Sequence, residues 1–86
     1  MKIALFNEVA LTRDMPELGL FQGDVATVVD HLPSTAASHS EDGYGLEVFN
    51  AVGESIAVVA VPCSAVESLR ANQVLATRAR LTPSEA

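Results

Sequence analysis

The residues able to do chemistry in this chain are few and scattered. His31 and His39 are its only histidines. With Glu41 and Asp42 they offer the imidazole and carboxylate groups that suit several divalent ions. Their spacing fits no recognised ligand motif, so both read as solvated side chains. Cys63 is the single cysteine. A nucleophilic thiolate needs a base and an electropositive setting. A helical turn opening at Ser64 would put Cys63 near its N-terminus, but Glu67 is the nearest charge and opposes ionisation. Cys63 reads as a small buried or half-buried apolar residue. Glu8, Asp14, Glu17, Asp24 and Asp30 crowd the first third of the chain. Two carboxylates in a pocket can do acid–base work, but these alternate with strand and turn positions and should face water. Asp24, directly after Gly23, reads as a turn residue accepting backbone hydrogen bonds. No catalytic, metal-binding or cofactor-binding residue is assigned, and the expectation is a non-enzyme.

Recognition has more material. Phe6, Phe21, Tyr44 and Phe49 are the only aromatic residues, and a small domain needs most of them inside. Extended peptides dock on surface aromatics, and Tyr44 and Phe49 are the candidates. Charge is lopsided: ten of the eleven acids precede Ser68, whereas Arg70, Arg78 and Arg80 follow it. The basic end is either a solvated tail or an extension that orders on a partner and adds charge-steered contacts. The candidate partner-binding residues are therefore Tyr44, Phe49, Arg70, Arg78 and Arg80.

Length sets the frame for these groups. The chain has 86 residues, which is one small domain with a marginal core. A net charge of −6 argues against nucleic acid, whose binding rests on neutralising phosphates. It argues equally against an anionic membrane. No apolar run approaches the length of a transmembrane helix. Asn7 and Glu8 follow the first apolar residues too soon for a signal peptide. One cysteine excludes an internal disulfide. A soluble protein of a reducing cytoplasm is expected.

Four apolar segments are separated by turn chemistry. The first covers 9–12 and ends at Asp14, Pro16 and Gly19. Gly19 and Gly23 can supply positive φ in the following loop, and some of Leu18, Leu20 and Phe21 should plug the core. The second covers 25–29, with β-branched Val28 and Val29 beside Thr27. Residues 33–43 are small, polar and aperiodic, and read as a mobile loop. The third covers 44–49, with Tyr44, Leu46 and Val48 on one face. A turn at 50–54, with Gly53 at positive φ, leads to a fourth segment at 56–61. Its unbroken apolar run reads as a strand buried on both faces. Pro62 stops it. Residues 64–67 have the spacing of a capping box. They open either a single helical turn followed by a short strand through Leu69, or a helix running over 65–77. The tail is expected to be partly disordered.

Short strands, glycine-bounded turns and the proline stop point to an all-β, small half-open barrel. The residues then carry a resemblance. Val9-Ala10-Leu11-Thr12, Asp14-Met15-Pro16-Glu17-Leu18-Gly19-Leu20 and Gly23-Asp24-Val25-Ala26-Thr27-Val28-Val29 resemble the opening of the bacterial DUF4926 family. Residues 47–59, from Glu47-Val48-Phe49 to Ala57-Val58-Val59, resemble its second half. The likeness runs from about Asn7 to Leu69. It implies an SH3-like barrel of about five strands with no assigned activity. Ala26 stands where similar sequences carry glycine, and the link between the second and third strands is longer than usual. The organisation expected is a barrel over 1–70, with its mobile loop at 33–43, and a C-terminal extension over 71–86.

The functional expectation is a non-catalytic protein-interaction module, the small partner of a larger gene-neighbour protein as in a toxin–antitoxin-type pair. An accessory subunit docking on acidic ferredoxin is disfavoured by the net charge. The alternative is a KOW-like nucleic-acid or ribosome-associated barrel, suggested by the Gly23-Asp24-Val25 turn but lacking a basic stripe interleaved with aromatics. A barrel of this size, with few aromatics and an apolar strand from Ile56 to Val61, can leave an edge or patch uncovered that self-association would bury, so a homodimer is also expected.

Overall fold

The computed structural model describes residues 3–34 and 41–80. Five strands follow one another: β1 (Glu8–Leu11), β2 (Val25–Leu32), β3 (Gly43–Phe49), β4 (Ser55–Pro62) and β5 (Val66–Ser68). Single 3-10 turns occupy Pro16–Leu18 and Cys63–Ala65. All pairings are antiparallel in one sheet of order β4-β3-β2-β1-β5. The sheet curls into an all-β, half-open barrel with the SH3-like strand order. Its two edges are β4 and β5.

Period-two alternation makes the core. Tyr44, Leu46 and Val48 are buried from β3, and Ala26 and Val28 from β2. Val9 and Leu11 of β1, Val61 of β4 and Val66 of β5 close around them. The register between β2 and β3 shifts between Val28 and Asp30. This bulge bends the strand and brings His31 opposite Tyr44. Gly43 and Gly45 let β3 lie tightly against its neighbours. A Cβ on Gly43 would stand 2.6 Å from the Val61 carbonyl oxygen, and one on Gly45 3.0 Å from Asp30 Cβ.

The loops follow their turn residues. Gly19, Gly23 and Gly53 all take positive φ. Leu20 is buried and Leu18 packs against the core, whereas Phe21 stays exposed. Asn50 builds the β3–β4 turn: its Oδ1 accepts from the N–H groups of Val52 (3.1 Å) and Glu54 (2.9 Å).

Several expectations are corrected. The fourth strand is not buried on both faces. It is an edge strand in which only Val61 is buried, because nothing among the described residues pairs with its outer side. The aromatic residues are not mostly inside: Phe6, Phe21 and Phe49 are exposed and only Tyr44 is buried, since β-branched and leucine side chains already fill so small a core. The helix over 65–77 does not form, and the turn-then-strand alternative holds. No capping box forms either. The turn opens at Cys63 without a side-chain cap, and the Ser64 hydroxyl instead donates to Glu41 Oε1 (2.5 Å). Of the loop over 33–43, residues 35–40 lie outside the described residues, as do residues 81–86 of the extension.

Candidate functional site

The open side of β4 is built by backbone register. Gly43 pairs with Pro62, Gly45 with Ala60 and Glu47 with Val58. Pro62 has no N–H, and the next amide, Cys63 N–H, donates to the Asp42 carbonyl at 2.9 Å. That makes Gly43–Pro62 a pair without mutual hydrogen bonds. Antiparallel alternation gives Ala60 and Val58 the same character. The N–H and C=O of both residues therefore point away from β3. No bond to them from another described element is present. Val59 and Val61 turn inward, so Val58 and Ala60 face solvent, and Val58 is 67% exposed. The eight residues of β4 carry no charge. The opposite edge is different: β5 has three residues, one of them Glu67, and an ion pair links Glu67 to Arg70 at 3.2 Å. Natural edges are blunted by shortness and charge. β5 has both, and β4 has neither.

A second feature ties the chain end to the barrel. Arg78 makes a two-pronged pair with Asp24. Its Nε donates to Oδ1 at 2.9 Å and its Nη2 to Oδ2. The same Nη2 donates to the Gly19 carbonyl at 3.1 Å, and the guanidinium stacks 4.8 Å from the centre of the Phe21 ring. Asp24 also accepts from the Phe21 N–H at 2.8 Å, the turn role its position predicts. Partial burial pushes the Asp24 carboxyl up, but the Arg78 and Phe21 hydrogen bonds and the Arg78 charge outweigh it and hold its pKa below the ordinary value. The Arg78 pKa is raised, chiefly by its hydrogen bond to Asp24. Between the returning chain and the sheet lies an open groove of about 420 Å³, lined by Ala10, Val25, Glu67, Leu69, Gln73 and Leu75 among others.

The residues with chemical potential are occupied structurally. His31 is half-buried rather than solvated, because its Nε2 meets the Ile3 carbonyl at 2.7 Å. A carbonyl only accepts, so Nε2 is the donor in this contact. The imidazole also stands edge-on to Tyr44 with ring centres 5.7 Å apart. Cys63 is half-buried and packs against the core, as expected. With His31, Asp42 and Tyr44 it lines a crevice of only about 10 Å³. No group of three or more metal-ligating side chains occurs among the described residues, and His39 lies outside them.

The candidate partner-binding residues do not converge. Tyr44, expected as a surface ring, is a core residue at 3% exposure. Its alternation with Leu46 turns it inward, and its hydroxyl accepts from the Ile3 N–H at 2.9 Å. Phe49 is 41% exposed at the end of β3. Arg70 pairs with Glu67, and Arg78 holds Asp24 within the chain. Arg80 is exposed. Val58 and Ala60 lie in the Ile56-to-Val61 strand from which an uncovered edge or patch is expected, and Pro62 is a further signal for the edge, since proline in sheets is confined to edges, strand ends and bulges. The Asp24–Arg78 pair, whose members lie 54 positions apart, has no signal in the sequence.

The strand order and the open edge define the class: a small half-open barrel of SH3-like topology. Within that class the chain belongs to DUF4926, a domain of unknown function whose family model matches residues 5–70. Asp24 lies inside the matched segment, and Arg78 beyond it. No curated protein and no solved structure matches the chain. No helix among the described residues is long and apolar enough to cross a membrane.

Proposed function

We propose that this chain is a non-catalytic protein-interaction module that docks a partner along β4. The observation carrying this reading is the uncharged eight-residue edge with the outward N–H and C=O groups of Val58 and Ala60. Strand addition to such an edge takes affinity from main-chain hydrogen bonds and selectivity from alternate side chains. The occupied His31 nitrogen and the small Cys63 crevice support a non-catalytic role. The acids that flank the sheet suit a basic neighbouring surface. A larger protein encoded beside this one, as in toxin–antitoxin-type pairs, is the class of partner proposed for those acidic faces. A reducing bacterial cytoplasm fits the lone cysteine.

The test is capture from the native host with tagged wild type and with Ala60→Pro. Proline is tolerated where an edge N–H faces solvent, so the barrel should persist while strand addition is blocked. A stoichiometric protein held by the wild type and lost by the variant supports the reading. Equal capture by both of every protein, an untagged copy of the chain included, overturns it.

A further inference from the structure

Resting on that reading of the edge, we infer that its occupant is a second copy of the same chain. The two β4 strands pair antiparallel about a two-fold axis within residues 58–60 and join two five-stranded sheets into one of ten. Three observations carry this. First, β4 contains no charged side chain, so nothing along the edge selects a segment of opposite charge. What suits it is an equally uncharged, extended, β-branched strand with unsatisfied main-chain groups of its own, and β4 is such a strand. Second, the outward groups belong to Val58 and Ala60, near the middle of β4. An antiparallel self-pairing therefore matches donors with acceptors on both sides of the axis, as an isologous interface requires. Third, the geometry limits the penalty that a net charge of −6 would otherwise impose. Glu54, the acid next to the start of β4, comes opposite the Pro62 end of the partner strand, where Arg13 and Glu41 both bond the Ser64 hydroxyl, and not opposite its own copy. Glu47, beside Val58 on β3, is separated from its copy by the two intervening β4 strands. At roughly 4.8 Å per strand step, the two carboxylate-bearing strands stand about 14 Å apart, beyond the screening length of about 8 Å at physiological salt.

The arrangement also explains why β4 lacks the devices that normally protect an edge. A lysine, an inward charge or an internal proline on β4 would block self-pairing as well as aggregation. Pairing about a two-fold closes the edge on itself, because each copy has only one such edge. The other, β5, is short and charged, so growth stops at two chains. A larger partner would then meet the acidic faces of the dimer.

The experiment is sedimentation velocity on the full chain across micromolar concentrations at physiological salt, for wild type, Val58→Lys and Ala60→Pro. Circular dichroism and thermal melting of each sample confirm that the barrel is folded. The wild type should move from 9.0 kDa toward twice that mass as concentration rises. Either variant should weaken association roughly tenfold or more, through an unpaired charge or lost strand hydrogen bonds. A wild type that stays at 9.0 kDa throughout overturns the second copy. So does a wild-type dimer that persists unchanged in both folded variants. The docking reading is judged separately: a monomeric wild type whose captured partner is lost in Ala60→Pro overturns only the self-pairing.

Discussion

Arg78→Ala should free the end of the chain without loosening the barrel. Three contacts are removed together: the two-pronged pair with Asp24, the bond to the Gly19 carbonyl and the stack on Phe21. The Arg78 side chain is 38% exposed, so the pair is discounted for solvent screening to about 0.5–1 kcal/mol. The cation–aromatic stack adds about 0.5–1 kcal/mol at such a site, and the carbonyl bond about 0.5 kcal/mol. Together they reach about 2 kcal/mol, roughly a thirtyfold rise in the undocked fraction of the chain end. Thermolysin cleavage before Leu75 reads that fraction when opening and closing outpace proteolysis. The rate should rise roughly thirtyfold in Arg78→Ala and less in Arg78→Lys, which keeps the charge but not the planar fork. The urea midpoint of the barrel should hardly move, since the segment opens locally. Acid should mimic the substitution. The Asp24 pKa is lowered on docking, so its contribution is full above the ordinary value of 3.8 and is lost as pH falls through the lower docked value. Wild-type cleavage with an acid-stable protease should therefore accelerate only below that ordinary value. Equal cleavage of wild type and Arg78→Ala at neutral pH would refute the clamp.

Leu46→Ala, at a fully buried β3 position, should cost about 3–4 kcal/mol. That is a large part of the roughly 4–13 kcal/mol expected for a chain of this length, and it should lower the urea midpoint with the slope unchanged. Gly43→Ala should destabilise by about 1–3 kcal/mol, because its Cβ meets a backbone oxygen that cannot swing aside. Gly45→Ala, which meets the Asp30 side chain at 3.0 Å, should cost less; the reverse order in thermal melts would refute the close strand approach. Tyr44→Phe loses the bond from the Ile3 N–H and should cost about 1 kcal/mol while leaving partner capture unchanged. A loss of capture from the folded variant would return Tyr44 to the docking surface.

The fold is legible in the sequence where local chemistry decides. Glycines at turns, alternation in β3 and the valine-rich second segment predict strands whose positions agree with the structure within a few residues. The Asp24 turn follows from its place after Gly23. Side-chain direction is legible only where polar and apolar residues alternate. The uniform run over 56–61 has no alternation, so burial on both faces and an edge position read alike. Phe21 and Phe49 mislead for a related reason, since hydrophobicity states what burial would gain and not whether room remains.

Composition, turn residues and period-two patterning determine by themselves that this chain is a small, acidic, all-β barrel. Those properties rest on neighbours in sequence. Which strand ends the sheet, which main-chain groups are left facing outward and which acid meets Arg78 were decided only by the tertiary structure. Each depends on pairings across long separations, and a residue carries no local mark of the partner that folding brings to it.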